Sequence, residues 1–114
     1  MSVTIWHNPR CSKSRQTLAL LQDRGIDVEI VKYLDTPPSR DQIEEVSRKL
    51  NRPLMDMVRT KDAAFKVLNL AGDIDTDSLI DAMVARPQIL ERPLVITENA
   101  ARLGRPPEDV LELF

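Results

Sequence analysis

The chain has 114 residues, of which 42% are hydrophobic and 30% charged, and its formal net charge is −2 at pH 7. These values predict a single globular domain over residues 1–114 and exclude a disordered or low-complexity chain. The slight negative charge provides no basic field for nucleic acid. Because the sequence has neither a basic leader with an apolar core nor a run of membrane-spanning length, we expect a cytoplasmic protein that binds no membrane.

The first part of the chain has the pattern of a βαβ unit. Val3–Trp6 predicts a strand, residues 12–24 predict a helix that ends at Gly25, and Val28–Leu34 predicts a second strand parallel to the first.

The middle of the chain has helical patterns. Ser39 and Gln42 have the spacing of a capping box, which predicts a helix with Ile43, Val46 and Leu50 on its buried face. Further helical segments are predicted at residues 54–58, 61–70 and 77–86, the last with Leu79, Ile80, Met83 and Val84 as its apolar residues.

The last part of the chain has the pattern of a ββα unit. Leu94–Thr97 and Ala101–Leu103 predict a β-hairpin, and Pro106 and Pro107 begin a final helix. The apolar residues of that helix are Val110, Leu111 and Phe114. The complete order predicts an α/β, thioredoxin-like fold, with a four-stranded mixed sheet and a helical insertion between the βαβ and ββα halves.

The predicted junction between the first strand and the first helix carries the only cysteine, Cys11. Unpaired backbone N–H groups and the positive end of the helix dipole favour a thiolate there and also bind oxyanions. Arg10, Lys13 and Arg15 add positive charge, as does His7 when it is protonated. The alternative is a buried structural thiol, but the polar, cationic surroundings favour a reactive one.

A serine, Ser14, occupies the position where a dithiol oxidoreductase has its second cysteine. Because the chain has no internal resolving thiol, an adduct on Cys11 requires an external one, and glutathione or a glutaredoxin is the cytosolic choice. One cysteine and one histidine close together do not supply the ligands of a usual metal site, so no metal is expected.

Four segments, in order along essentially the whole chain, resemble a known family: Ile5–Arg15, Tyr33–Ser39, Glu91–Ile96 and Arg102–Pro107. They are similar to the glutaredoxin-dependent arsenate reductases, and most similar to the short YfgD-like branch. The longer members of that family continue past the position of Phe114.

The resemblance implies that Cys11 is the catalytic nucleophile and that Arg59, Arg92 and Arg105 bind the substrate oxyanion. The residues expected to support them are His7, Asn8, Ser14, Arg15 and Pro93. In the implied reaction, the thiolate attacks arsenate or a related oxyanion and glutathione enters as co-substrate. Glutaredoxin then takes up the glutathionyl group as arsenite leaves, and no bound cofactor takes part.

A physical argument also favours oxyanion binding by the three arginines. Guanidinium groups form paired, directional hydrogen bonds that neutralise a tetrahedral anion, although most arginines in a protein are solvated surface charges. Arg92 precedes Pro93 at the start of a predicted strand, and we predict a cis peptide bond there. Arg105 precedes Pro106 and is similarly restrained.

Two alternatives belong to other functional classes. Spx-type regulators have the same fold, bind RNA polymerase and use an N-terminal Cys-x-x-Cys as a redox switch. Ser14 in place of the second cysteine, together with the full set of arginines, favours the reductase. The other alternative is a redox-inert domain, which an ordinary thiol at Cys11 would indicate.

Overall fold

The computed structural model of the protein describes residues 2–68 and 74–114. Its strands are β1 (Thr4–His7), β2 (Glu29–Lys32), β3 (Leu94–Ile96) and β4 (Ala101–Leu103). Its α-helices are α1 (Ser12–Asp23), α2 (Arg40–Leu50), α3 (Ala63–Leu68) and α4 (Thr76–Ala85). Short 3₁₀ helices lie at Leu54–Met57, Pro87–Ile89 and Pro107–Leu113.

The first three elements form the predicted βαβ unit. β1 and β2 are parallel, with Ile5 opposite Ile30, and α1 connects them. The helix ends where Gly25 adopts a left-handed conformation with φ of 73°, which glycine takes without a steric penalty. The amide of Gly25 donates to the carbonyl of Gln22, 2.9 Å away, and so occupies one of the free carbonyls at the end of the helix.

The four strands form one mixed sheet in the order β2-β1-β3-β4. β3 is antiparallel to both β1 and β4. α2, α3 and α4 lie between the two halves in the sequence. This arrangement confirms the predicted thioredoxin-like fold with its helical insertion.

The capping box at the start of α2 is present as predicted. The Ser39 hydroxyl accepts from the Gln42 amide at 3.2 Å, and the Gln42 side chain accepts from the Ser39 amide at 2.9 Å. The predicted face of the helix, with Ile43, Val46 and Leu50, is buried. The start of this helix therefore follows from side chains three residues apart.

The end of the chain differs from the prediction of an α-helix with Val110, Leu111 and Phe114 on one side. The segment Pro107–Leu113 is a 3₁₀ helix, which has three residues per turn. That period aligns Pro107, Val110 and Leu113 instead, and Val110 is fully buried. Phe114 follows the helix and is 44% exposed.

The insertion also differs in detail. The segment predicted at 54–58 is a 3₁₀ helix, and Val84 in α4 is exposed, whereas its neighbours Leu79, Ile80 and Met83 are buried. The helix predicted at 61–70 is α3, which begins later than expected. Residues 69 and 70 of that prediction lie outside the described ranges.

The core consists of two clusters, one on each face of the sheet. Ile5 and Val95 belong to one cluster, whereas their strand neighbours Trp6 and Leu94 belong to the other. This division follows because successive side chains of a strand point to opposite faces. Cys11 is buried, but among the described residues it belongs to neither cluster.

Candidate active site

Cys11 is the N-cap residue of α1, as the sequence predicts for its position. Its backbone is extended, with φ of −93° and ψ of 122°, and its carbonyl accepts the first bond of the helix from Arg15 at 3.0 Å. The following amides, from Ser12 to Ser14, have no acceptor within the helix because they belong to its first turn. Because Cys11 is the N-cap residue, its sulfur lies beside the positively polarised end of the helix. The cysteine is 8% exposed, and its side chain makes no capping bond.

Ser14 fastens the loop before Cys11 to the first turn of α1. Its buried hydroxyl lies 2.7 Å from His7 Nδ1 and accepts from the Asn8 amide at 3.1 Å. Asn8 in turn accepts from the Arg10 amide at 3.0 Å through its side-chain oxygen. These bonds hold the last residue of β1, the loop and the helix start in one arrangement.

His7 does not contribute the positive charge that the sequence allowed for it. Burial lowers the pKa of His7 below its ordinary 6.5, and the charges of Lys32 and Arg15 lower it further. Lys32 acts on the ring because it is the direct partner of His7 in the β1–β2 register. At neutral pH the imidazole is therefore neutral, and its role here is to bond Ser14.

Three of the predicted cationic residues lie on the outside of this loop. Arg10, Lys13 and Arg15 are exposed, and Arg15 Nη1 donates to the Pro9 carbonyl at 2.9 Å. Arg15 therefore braces the loop, and its charge lies near the helix start.

The β3–β4 hairpin brings Arg92 and Arg105 together. Its ladder pairs Leu94 with Leu103 and continues outward, because the Gly104 amide donates to the Pro93 carbonyl at 2.9 Å. One step further, Arg105 Nε donates to the carbonyl of Arg92 at 2.7 Å. The Arg92-Pro93 peptide bond is cis, as predicted, and so is Arg105-Pro106.

Arg105 reaches the thiol directly. Its Nη2 lies 3.7 Å from Cys11 Sγ, whereas its Nε forms an ion pair with Glu91 at 3.0 Å. The guanidinium is thus held between a carboxylate and the cysteine sulfur. A cation at this distance stabilises the negative charge of an oxyanion bonded to the sulfur.

Arg92 has the least satisfied guanidinium of the site. Its Nε and Nη1 are both buried and have no hydrogen-bond partner within residues 2–68 and 74–114. Burying such donors without a partner is costly, and buried charges in proteins are normally paired. An anion is the group that would satisfy them.

Arg59 comes to the same edge of the molecule through backbone pairing. An antiparallel bridge joins Val58 to Leu90, and the Arg59 amide donates to the Ile89 carbonyl at 2.7 Å. Its Nη1 forms an ion pair with Asp62, also at 2.7 Å. In the described part of the chain, no hydrogen bond joins Arg59 or Arg92 to Cys11, so Arg105 is the one of the three arginines that bonds the thiol.

Two residues that sequence reasoning did not select also belong to this region. Glu91 pairs with Arg105 and accepts from the Arg92 amide at 3.3 Å. Tyr33 is buried, and burial raises its pKa to about 12, although the nearby charge of Arg59 acts in the opposite direction. The available signal for Tyr33 was its position directly after β2, because parallel strands place their carboxyl ends at one edge.

A cleft of about 560 Å³ adjoins the thiol site. It is lined by the segment 58–63 and by Glu91 and Arg105. Within the described ranges, no group of three or more potential metal-ligating side chains is present. No helix in those ranges is long and apolar enough to cross a bilayer.

The ArsC family model matches residues 6–113 of this sequence. The chain belongs to the ArsC family. It is 44% identical to the uncharacterized protein YfgD of Escherichia coli, an alignment that covers 97% of this chain and 95% of that protein. It is also 44% identical to a protein named arsenate reductase from Haemophilus influenzae, with both chains covered completely.

A solved structure supports membership of the ArsC family at the level of the fold. The arsenate reductase from Vibrio cholerae superposes with a TM-score of 0.96 and 45% identity, covering 100% of this chain and 98% of that one. Since none of these three proteins is named as a transcriptional regulator, the comparisons give no support to the Spx-type alternative.

Proposed function

We propose that this ArsC-family chain reduces arsenate to arsenite, with Cys11 as the nucleophile and glutathione and glutaredoxin as electron donors. The observation that carries the proposal is the contact of Arg105 Nη2 with Cys11 Sγ, 3.7 Å apart, at the beginning of a helix. Two relatives that bear the name arsenate reductase, from Haemophilus influenzae and Vibrio cholerae, support the choice of substrate.

The site has the electrostatic character that attack on an oxyanion requires. A thiolate and a tetrahedral anion repel each other unless cations neutralise the anion. Arg92 has unsatisfied donors, Arg105 lies beside the sulfur, and Arg59 lines the adjoining cleft. We assign these three arginines to substrate binding, with the first-turn amides of α1 as further donors.

The first chemical step forms a bond between Cys11 Sγ and arsenic. One arsenate oxygen leaves as water, and arsenic stays in its pentavalent state. The thiolate of glutathione then attacks the same arsenic, a second sulfur–arsenic bond forms, and another oxygen leaves as water. Neither step transfers electrons.

Reduction occurs when glutaredoxin attacks the glutathionyl sulfur. A disulfide forms between glutaredoxin and glutathione, and the electron pair of the broken sulfur–arsenic bond stays on arsenic, which becomes trivalent. Water then displaces Cys11, so that arsenite leaves and the thiolate is restored. Two thiols are oxidised for each arsenic atom reduced.

External thiols are needed because the chain has a single cysteine. Ser14 stands one helical turn after Cys11, and its hydroxyl is occupied by His7 and Asn8. The chain therefore has no second sulfur with which to close a disulfide. Dependence on glutathione fits a reducing compartment, and we propose the cytoplasm.

The test is a coupled assay with arsenate, glutathione and glutaredoxin, in which arsenite is measured directly. We expect turnover by the wild-type chain and none by Cys11→Ser. The matched control is Ser12→Ala, since Ser12 is the exposed neighbour of Cys11 and its side chain has no assigned role. Arsenite formation that survives in Cys11→Ser would remove the nucleophile from the mechanism.

A further inference from the structure

The cleft beside the thiol site shares one residue, Arg105, with that site. Arg105 lines the cleft and also places its Nη2 3.7 Å from Cys11 Sγ. Its ion-pair partner, Glu91, also lines the cleft. A molecule bound in the cleft would therefore lie beside the same arginine that contacts the thiol.

The charged groups of the cleft are unequally engaged. Arg59 pairs with Asp62 at 2.7 Å, and Arg105 pairs with Glu91 at 3.0 Å. Lys61, the third cation of the lining, is exposed and has no hydrogen-bond or ion-pair partner in the described part of the chain. Three cations and two carboxylates give the lining a net positive charge, with Lys61 as the available group.

We propose that this cleft binds glutathione, with the Lys61 ammonium holding one of its carboxylates. Glutathione carries two carboxylates and one ammonium group, so its net charge is opposite to that of the lining. The volume of about 560 Å³ lies within the range that small-molecule sites occupy. This inference rests on the proposed function, because it assigns a binding site to the thiol which that function requires.

Binding in the cleft orients the glutathione thiolate toward arsenic already bonded to Cys11. In this step a sulfur–arsenic bond forms, an arsenic–oxygen bond breaks, and the oxygen leaves as water without a change of oxidation state. Holding the two reactants together converts a bimolecular encounter into an attack within one complex. Lys61 is a binding residue in this scheme and does not touch the reacting atoms.

The first experiment measures binding without turnover. S-methylglutathione, which has no free thiol, is titrated into the isotope-labelled protein, and amide chemical shifts are followed. We expect shifts in segment 58–63 that saturate, and about tenfold weaker binding for Lys61→Ala. The matched control is Lys66→Ala, an exposed lysine of α3 outside the cleft, which should bind as the wild type does. Shifts elsewhere, or equal binding by Lys61→Ala, would overturn the inference.

The second experiment separates the contribution of the glutathione carboxylates from the contribution of its thiol. In the coupled assay, Lys61→Ala should raise the KM for glutathione about tenfold and leave the KM for arsenate unchanged. Arsenic loading of Cys11 should also be unchanged. With 2-mercaptoethanol, which has no carboxylate, the two proteins should behave alike, and an equal loss with both thiols would overturn the assignment.

The two experiments distinguish this inference from the proposed function. A wild-type chain that binds S-methylglutathione in the cleft but forms no arsenite would remove the proposed reaction and leave the binding site standing. If the chain forms arsenite and Lys61→Ala has the wild-type KM for glutathione, the binding site is removed and the proposed reaction stands.

Discussion

Arg92 and Arg105 differ in how their guanidinium groups are engaged, and this difference separates their roles. Arg105 already bonds a carboxylate, a carbonyl and the cysteine sulfur. Arg92 keeps two buried donors without a partner in the described part of the chain. We therefore infer that Arg92 gains more from an incoming oxyanion, whereas Arg105 is positioned before the oxyanion arrives.

The first prediction concerns Arg92→Ala. We expect the KM for arsenate to rise by about 10- to 100-fold, because charge-assisted hydrogen bonds to the anion are lost. Alkylation of Cys11 by iodoacetamide, a neutral reagent, should stay close to the wild-type rate, since the helix start and Arg105 remain in place.

The control for that prediction is Arg24→Ala, at an exposed arginine at the C-terminal end of α1. It removes the same charge from a distant surface and should change neither quantity. If Arg92→Ala is saturated at the same arsenate concentrations as the wild type, the unpaired donors of Arg92 do not face the substrate.

At the scale of elements, the β3–β4 hairpin places Arg92 and Arg105 side by side. Its ladder ends at Gly104, whose amide bonds Pro93. A methyl group added at Gly104 would lie 2.5 Å from Thr17 Oγ1 and 2.7 Å from Pro93 Cγ. Since Thr17 belongs to α1, this glycine allows the helix that carries Cys11 to approach the hairpin that carries Arg105.

The second prediction is that Gly104→Ala destabilises the protein by about 1–3 kcal/mol, the usual cost of overpacking, and also raises the KM for arsenate. Urea unfolding and the coupled assay measure the two effects. Gly25→Ala is the matched control, because its added carbon meets nothing within 4 Å and only the positive φ costs energy. It should lower stability and leave the KM unchanged, and a Gly104→Ala protein with wild-type stability would contradict the packing argument.

Features fixed by neighbouring residues were predictable from the sequence. The capping box joins Ser39 to Gln42, and the place of Cys11 at a helix start follows from the strand and helix patterns around it. The 3₁₀ helix at Pro107–Leu113 was not predictable, because the apolar residues fit either period and packing against the core decides between them.

The site residues that sequence reasoning missed depend on distant contacts. Glu91 acts through Arg105, fourteen positions along the chain, and Tyr33 acquires its surroundings only when β2 lies beside β1. Neither contact produces a recognisable pattern in the neighbouring sequence. The three arginines were predicted only through the family resemblance, since isolated surface arginines look the same in sequence.

At the scale of the whole molecule, the sheet buries two titratable groups whose neutral forms the fold prefers. Burial and nearby cations lower the pKa of His7 below 6.5, so the folded chain resists a proton that the unfolded chain accepts. Below pH 6.5 the ring of His7 therefore binds more protons in the unfolded state than in the folded state. The free energy of unfolding falls as the pH is lowered through the folded pKa of His7. Because His7 is the only histidine, its ring signals in NMR should report a single titration with a midpoint below 6.5.

Tyr33 sets the corresponding limit on the alkaline side. Its pKa is about 12 in the folded chain against 10.0 ordinarily, so the unfolded chain loses its phenol proton first. The contribution of Tyr33 is complete below pH 10 and is lost as the pH rises toward 12, which should lower the free energy of unfolding by about 2 kcal/mol. Urea titrations across this interval should show the decline in the wild type and a shallower one in Tyr33→Phe. Tyrosinate absorbance reports the same group, since the chain has one tyrosine. A midpoint near 10 in the folded protein would mean that water reaches the phenol at the edge of the sheet where Cys11 and Arg59 lie.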